Sequence, residues 1–129
     1  MIHRLIADAA ASPEREICGL LLGTSDRVDQ ALPCANVAAD PARFFEIDPA
    51  ALIGAHRAAR AGGPRVIGHY HSHPQGTAEP SPRDAAASRG QATFWLIIGN
   101  GEARLWTADG KGSFLRQEID LVEDEIRPD

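Results

Sequence analysis

In the segment His69-Tyr70-His71-Ser72-His73-Pro74, ten residues separate His73 from the downstream Asp84. On a strand, side chains two positions apart project to the same face, so His71 and His73 can converge on one ion, with Asp84 as a third arm. Two imidazoles and a carboxylate are the three protein ligands of a catalytic zinc site, which keeps its fourth position for water. Zinc brings the pKa of that water to about 7, so hydroxide is available at neutral pH. His69 shares the face by the same alternation and is a candidate for lining the substrate path or replacing a ligand. Ser72 falls between the ligands and is expected on the opposite face.

The flanking sequence predicts the elements that position these groups. Ile2, Leu5, Ile6 and Ala9 recur at helical spacing, which predicts an amphipathic helix over the first dozen residues, stopped by Ser12-Pro13. The apolar run from Ile17 to Gly23 reads as a buried strand, with Asp29 to Val37 pairing beside it. Asp48 at the N-cap, Pro49 at the first helical position and Gly62-Gly63 at the end mark a second helix. Arg65 to His73 reads as a strand that delivers its histidines to a loop. Ser81, Pro82 and Asp84 announce a third helix, to about Arg89. Phe94 to Ile98, Ala103 to Trp106 and Phe114 to Ile119 form a strand meander, with Asn100-Gly101 and Asp109-Gly110 favouring type I′ hairpin turns. The order predicts an α+β protein, an α/β/α sandwich around a mixed sheet.

The residues around the ligands resemble the motif of the JAMM (JAB/MPN) zinc metalloprotease family: an early glutamate, then His-x-His, ten residues and Asp. Glu16 opens Glu16-Ile17-Cys18-Gly19-Leu20-Leu21-Leu22-Gly23, and His71-Ser72-His73-Pro74 with Ser81-Pro82-Arg83-Asp84 matches the rest. Phe44-Phe45-Glu46-Ile47-Asp48-Pro49 is similar to the segment before the family's second helix. The resemblance implies a cytidine-deaminase-like MPN fold, with a mainly antiparallel mixed sheet flanked by helices. It further implies that His71, His73 and Asp84 bind Zn2+, that Glu16 takes and returns a proton, and that the Ser81 hydroxyl bonds the oxyanion. The implied activity is that of a zinc peptidase or isopeptidase cutting the amide bond after the Gly-Gly tail of a ubiquitin-like or sulfur-carrier protein. A homodimer is among the states the resemblance allows. The departure from the family pattern is His69, where the family has a bulky aromatic residue.

Plainer readings accompany these. Ser-x-x-Asp with Pro between is itself a helix start signal, so capping alone accounts for Ser81 and Asp84. Glu16 alone reads as a solvated charge, and Glu14 is the alternative base. His3 and His56 lie on predicted helices without ligand-like partners. Trp95, Trp106, Phe94 and Phe114 read as core. Cys18 and Cys34 belong to no CxxC pair and read as small core residues. Two further functions stay open: a non-catalytic MPN scaffold, which usually loses the metal residues kept here, and a peptidase acting on small or cell-wall peptides.

With 129 residues, 43% hydrophobic and 24% charged, the chain has the composition of one globular domain. We expect that domain over residues 1–122, followed by an acidic tail over 123–129. A formal charge of −5 argues against a nucleic-acid partner. No apolar run approaches the roughly 20 residues of a membrane helix. No secretory signal is visible at the start, so a cytoplasmic location is expected.

Overall fold

The computed structural model describes residues 1–118. The expected acidic tail, the boundary at residue 122 and the last residue of the third meander strand therefore lie outside the described residues. Helix α1 (Ile2–Ala10) turns Leu5 fully into the core and ends short of the expected dozen residues. Strand β1 (Cys18–Thr24) is buried along all but its last residue, which is why it reads as an unbroken apolar run. Strand β2 (Arg27–Cys34) pairs with it antiparallel. It stops before the expected Val37, because the chain turns at Asn36, whose backbone makes an isolated bridge to Ile47. Helix α2 (Pro49–Arg60) starts where predicted, with the Asp48 carboxylate accepting from Ala50 N at 3.1 Å.

Strand β3 (Arg65–His73) has the predicted bounds, and helix α3 (Pro82–Ala87) follows it. The meander comprises β4 (Phe94–Gly99), β5 (Glu102–Ala108) and β6 (Phe114–Gln117). Asn100 and Gly101 have φ of 53° and 76°, both positive as a type I′ turn requires. Asp109-Gly110 departs from expectation, since Ala108 pairs with Phe114 and the loop spans residues 109–113. Asp109 organises it, its carboxylate accepting from Lys111 N at 2.7 Å and Ser113 N at 3.1 Å. A side chain that bonds its own loop favours the longer connection over a two-residue turn.

The six strands form one mixed sheet in the order β2-β1-β3-β4-β5-β6, with helices flanking it. Only β3 and β4 run parallel, and the crossover between them carries α3. Parallel pairing thus brings the C-terminal end of β3, with its histidines, beside α3, where ligands gather in sheets of this kind. Leu5 packs with Leu21, Tyr70, Leu96 and Ile98 in one cluster. Gly19 pairs with Tyr70, and a Cβ there would collide with the Tyr70 ring, so this glycine lets the tyrosine lie across β1. Cys18 is buried as expected, whereas Cys34, on edge strand β2, is only half-buried; an edge strand has no neighbour to cover it. Trp95 is core, while Trp106, Phe94 and Phe114 are only partly covered. No helix among the described residues is long and apolar enough to cross a membrane.

Candidate metal centre and active site

Alternation along β3 sends Tyr70 toward α1 and turns His69, His71 and His73 to the other face of the sheet. The Nε2 atoms of His71 and His73 stand 3.0 Å apart. Each is 3.1 Å from an Asp84 carboxylate oxygen, Oδ1 for His71 and Oδ2 for His73. Three such donors around one zinc at about 2.0–2.1 Å stand about 3.3 Å apart when tetrahedral, so the triangle has the size of a metal shell. One ligand atom from each residue, all within 4.8 Å of one another, makes this trio a group able to hold a metal ion.

The two imidazoles are held differently. His73 Nδ1 lies 2.8 Å from Thr77 O; donating its proton there leaves Nε2 as the lone-pair nitrogen facing the cluster. His71 Nδ1 is buried without a partner, and its ring is instead stacked on Phe45 at 4.4 Å and 14°. Burial pushes the His71 pKa down, against the pull of Asp84. Burial pushes the same way at His73, but the bonds to Asp84 and Thr77 outweigh it and its pKa is raised. For Asp84, burial acts upward, yet the bonds from both histidines hold its carboxyl well below the usual range. A neutral His71 and an ionised Asp84 are the forms that ligate a cation.

Asp84 also completes a capping box on α3. Its Oδ2 accepts from Ser81 N at 3.0 Å, and Ser81 Oγ accepts from Asp84 N at 3.1 Å. The capping reading is therefore borne out, and the same carboxylate faces the histidines. Capping fixes where Asp84 points.

Glu16 lies just before β1, 6% exposed, and lines the same cavity as His73, Ser81 and Asp84. The solvated-charge reading of Glu16 is thus overturned. Desolvation raises its pKa to about 7, against the field of His73, and its Oε1 is buried without a hydrogen bond. A carboxyl poised there can accept a proton near neutral pH and give it back. Glu14, the alternative base, is exposed and lines no part of this cavity. His3 and His56 are exposed on their helices. His69 sits between Phe45 and Trp95, with ring centroids at 5.5 and 4.2 Å, and stays outside the trio. Burial lowers its pKa to about 3.

The cavity measures about 810 Å3, and its wall includes residues that motif reasoning did not single out for a role. Phe44 carries the Arg83 guanidinium 3.6 Å above its ring, and Phe45 braces His71. Ser72 turns away from the histidines as expected, but it also ties β3 to the residue after Glu16: Ile17 N donates to Ser72 Oγ at 2.9 Å. Two adjacent aromatics upstream of the Asp48 cap were the available signal for the first pair. Nothing local in sequence marks the link from Ser72 to Ile17.

Comparison with known proteins agrees with this architecture. The Prok-JAB family model, prokaryotic homologs of the JAB domain, matches residues 1–109, and the chain belongs to that family. It is 37% identical over 106 residues to a desampylase of Haloferax volcanii, covering 78% of this chain and 76% of that protein. It is 35% identical over 111 residues to a probable TtuB-protein conjugate cleaving protease of Thermus thermophilus, covering 84% and 68%. A tail tip assembly protein K of Escherichia phage N15 is 34% identical over 122 residues; the match covers 95% of this chain but 46% of the phage protein. Among solved structures, a JAB1/MPN domain protein from Archaeoglobus fulgidus superposes with a TM-score of 0.58 at 18% identity, covering 93% of this chain and 90% of that one. At that identity the likeness concerns the fold.

Proposed function

We propose that the protein is a zinc-dependent isopeptidase that cuts the amide bond joining the Gly-Gly tail of a ubiquitin-like or sulfur-carrier protein to its target. The observation that carries this reading is the convergence of His71, His73 and Asp84, the last two lining one cavity with the buried Glu16, whose carboxyl Oε1 has no hydrogen-bond partner. The relatives that cleave conjugates or bear the desampylase name support the substrate class.

In this reading His71 Nε2, His73 Nε2 and Asp84 hold Zn2+. Bound zinc supplies Lewis acidity and a water acidified to about pKa 7. Glu16, as carboxylate, takes a proton from the attacking water and delivers it to the departing amine nitrogen. The Ser81 hydroxyl, whose oxygen already accepts from Asp84 N, keeps its own hydrogen to donate to the oxyanion. A diglycine tail is thin enough to reach the floor of the open cavity without side-chain pockets. A cytoplasmic setting is part of the proposal, supported by the two free cysteines.

Zinc content and cleavage of a Gly-Gly-linked ubiquitin-like fusion test it together. We expect one zinc per wild-type chain, lost in His71→Ala and retained in Glu16→Gln. Glu16→Gln should cleave about 10²- to 10⁴-fold more slowly. A folded wild type that takes up no zinc would leave the scaffold reading instead. The alternative reading is a peptidase acting on small or cell-wall peptides. Cleavage of a muropeptide with none of the fusion would decide for it.

A further inference from the structure

Asn36 is singled out by no motif, yet its side chain uses its full hydrogen-bonding capacity. Nδ2 donates to Glu16 O at 3.0 Å and to Phe44 O at 3.0 Å, while Oδ1 accepts from Ala38 N at 3.0 Å and Glu46 N at 3.1 Å. Two donors and two lone pairs are all that a primary amide offers. Every partner belongs either to Glu16 or to the loop between β2 and α2. That loop returns a bond of its own, with Glu16 N donating to Pro41 O at 2.7 Å. The same loop carries Phe45, stacked on His71, and Phe44, beneath the Arg83 guanidinium next to Asp84.

Glu16 needs this help because it precedes β1 and has no ladder bonds of its own register to fix it. Its carboxyl also lacks a complete set of partners, Oε1 having none. The side chain is therefore aimed by its backbone, and the backbone is held by Asn36, Pro41 and the Ser72 bond to the next residue. We infer that Asn36 is a positioning residue, which clamps the Phe44-Phe45 loop to the Glu16 backbone and so aims the Glu16 carboxyl at the His71–His73–Asp84 cluster. It acts through Glu16 and touches neither substrate nor metal. The inference rests on the role proposed above for Glu16, and it concerns a residue outside the metal and proton-transfer sets.

Two substitutions test it. Asn36→Asp keeps both acceptor functions and loses both donors. Asn36→Ser keeps a local acceptor for Ala38 N but is too short to bridge to Glu16 O. Val28→Ala, in the core at the far end of β2, serves as a control for general loss of stability. Amide hydrogen exchange on the zinc-loaded full chain reads the clamp without any substrate. In both Asn36 variants the Glu16 amide should exchange at least about tenfold faster, and in Asn36→Ser the Glu46 amide, which loses its acceptor, should do so as well, with Leu21 at the centre of β1 unchanged in both. Val28→Ala should not single out those amides. On the Gly-Gly fusion, kcat should fall about 10- to 100-fold with KM within about twofold and zinc content retained. In a Glu16→Gln background the Asn36 substitutions should add little, because both act on one step. Unchanged Glu16 exchange in a folded variant would overturn the clamp. Faster exchange with undiminished kcat, or an undiminished effect in the Glu16→Gln background, would overturn the positioning role. Should wild type cleave no fusion, the substrate assignment fails, and the exchange measurement still decides whether Asn36 holds Glu16.

Discussion

Along one face of β3, Tyr70 packs with Leu5, Leu21 and Leu96, and Ser72 bonds the backbone of Ile17 through its hydroxyl oxygen. Along the other, His69 and His71 each keep a buried Nδ1 without a partner, and Glu16 Oε1 and Trp95 Nε1 beside them are equally alone. Buried polar atoms are ordinarily paired, since each orphan costs about 1–3 kcal/mol. One strand therefore supports a face built for stability and a face that forgoes stability where reactive groups must stay available. The difference teaches where to look for chemistry: among the described residues, four of the five buried side-chain atoms without a partner belong to Glu16, His69, His71 and Trp95 around the candidate centre, and the fifth is Thr93 Oγ1.

The contrast breaks most completely at Asp84. Asp84→Asn keeps an acceptor for the cap on α3 but withdraws the charge facing two histidines, so zinc binding and cleavage should both be lost while circular dichroism stays native. Retained zinc by elemental analysis would reduce Asp84 to its capping role.

On the core face the expected loss is in stability alone. Leu96→Ala should destabilise by about 2–5 kcal/mol in urea melts. Its zinc stoichiometry should remain that of wild type, and a loss of metal in the folded variant would show that the two faces are not separable.

The chemical face should respond to pH in a way the core face does not. Glu16 has a folded pKa of about 7 against 4.5 for a free glutamate. Below the free value both states hold the proton and nothing is lost. As pH rises through that window the unfolded chain releases its proton first, so stability falls, with the full penalty present above about pH 7. For the chelator-treated protein that penalty is about 3 kcal/mol. Glu16→Gln removes it, so the variant should be more stable than wild type at pH 8 and equal to it at pH 4. Parallel wild-type and variant melts across that range would contradict the desolvation of Glu16.

The smallest effect is expected where the faces meet. Ser72→Ala leaves Ile17 N without its acceptor and should cost about 1 kcal/mol. Cleavage should fall modestly, with zinc retained. An effect on zinc uptake as large as that of His71→Ala would mean that Ser72 shapes the ligand set itself.

Much of this was legible in residue order, for reasons that are local. Strand alternation put His71 and His73 on one face, Pro82 and Asp84 marked the start of α3, and Asp48-Pro49 marked that of α2, because capping and side-chain direction depend on neighbours a few positions away. The Asn100-Gly101 turn was legible for the same reason. Asp109-Gly110 misled, since an identical class of dipeptide is overridden once Asp109 bonds the backbone of Lys111 and Ser113. Cys34 misled because its residue type favours burial while its strand lies at the sheet edge.

The tertiary structure alone decided what surrounds the donors. The sequence determined the set of reactive groups and the elements that carry them. Only folding brought Glu16 out of solvent, stacked Phe45 on His71 and closed Asn36 around the Glu16 backbone, 20 residues away in the chain. The physical reason is that desolvation, stacking and long-range hydrogen bonds depend on which distant segments meet. That meeting was set by the parallel pairing of β3 with β4 and by the return of the loop between β2 and α2, neither of which any local run of residues encodes.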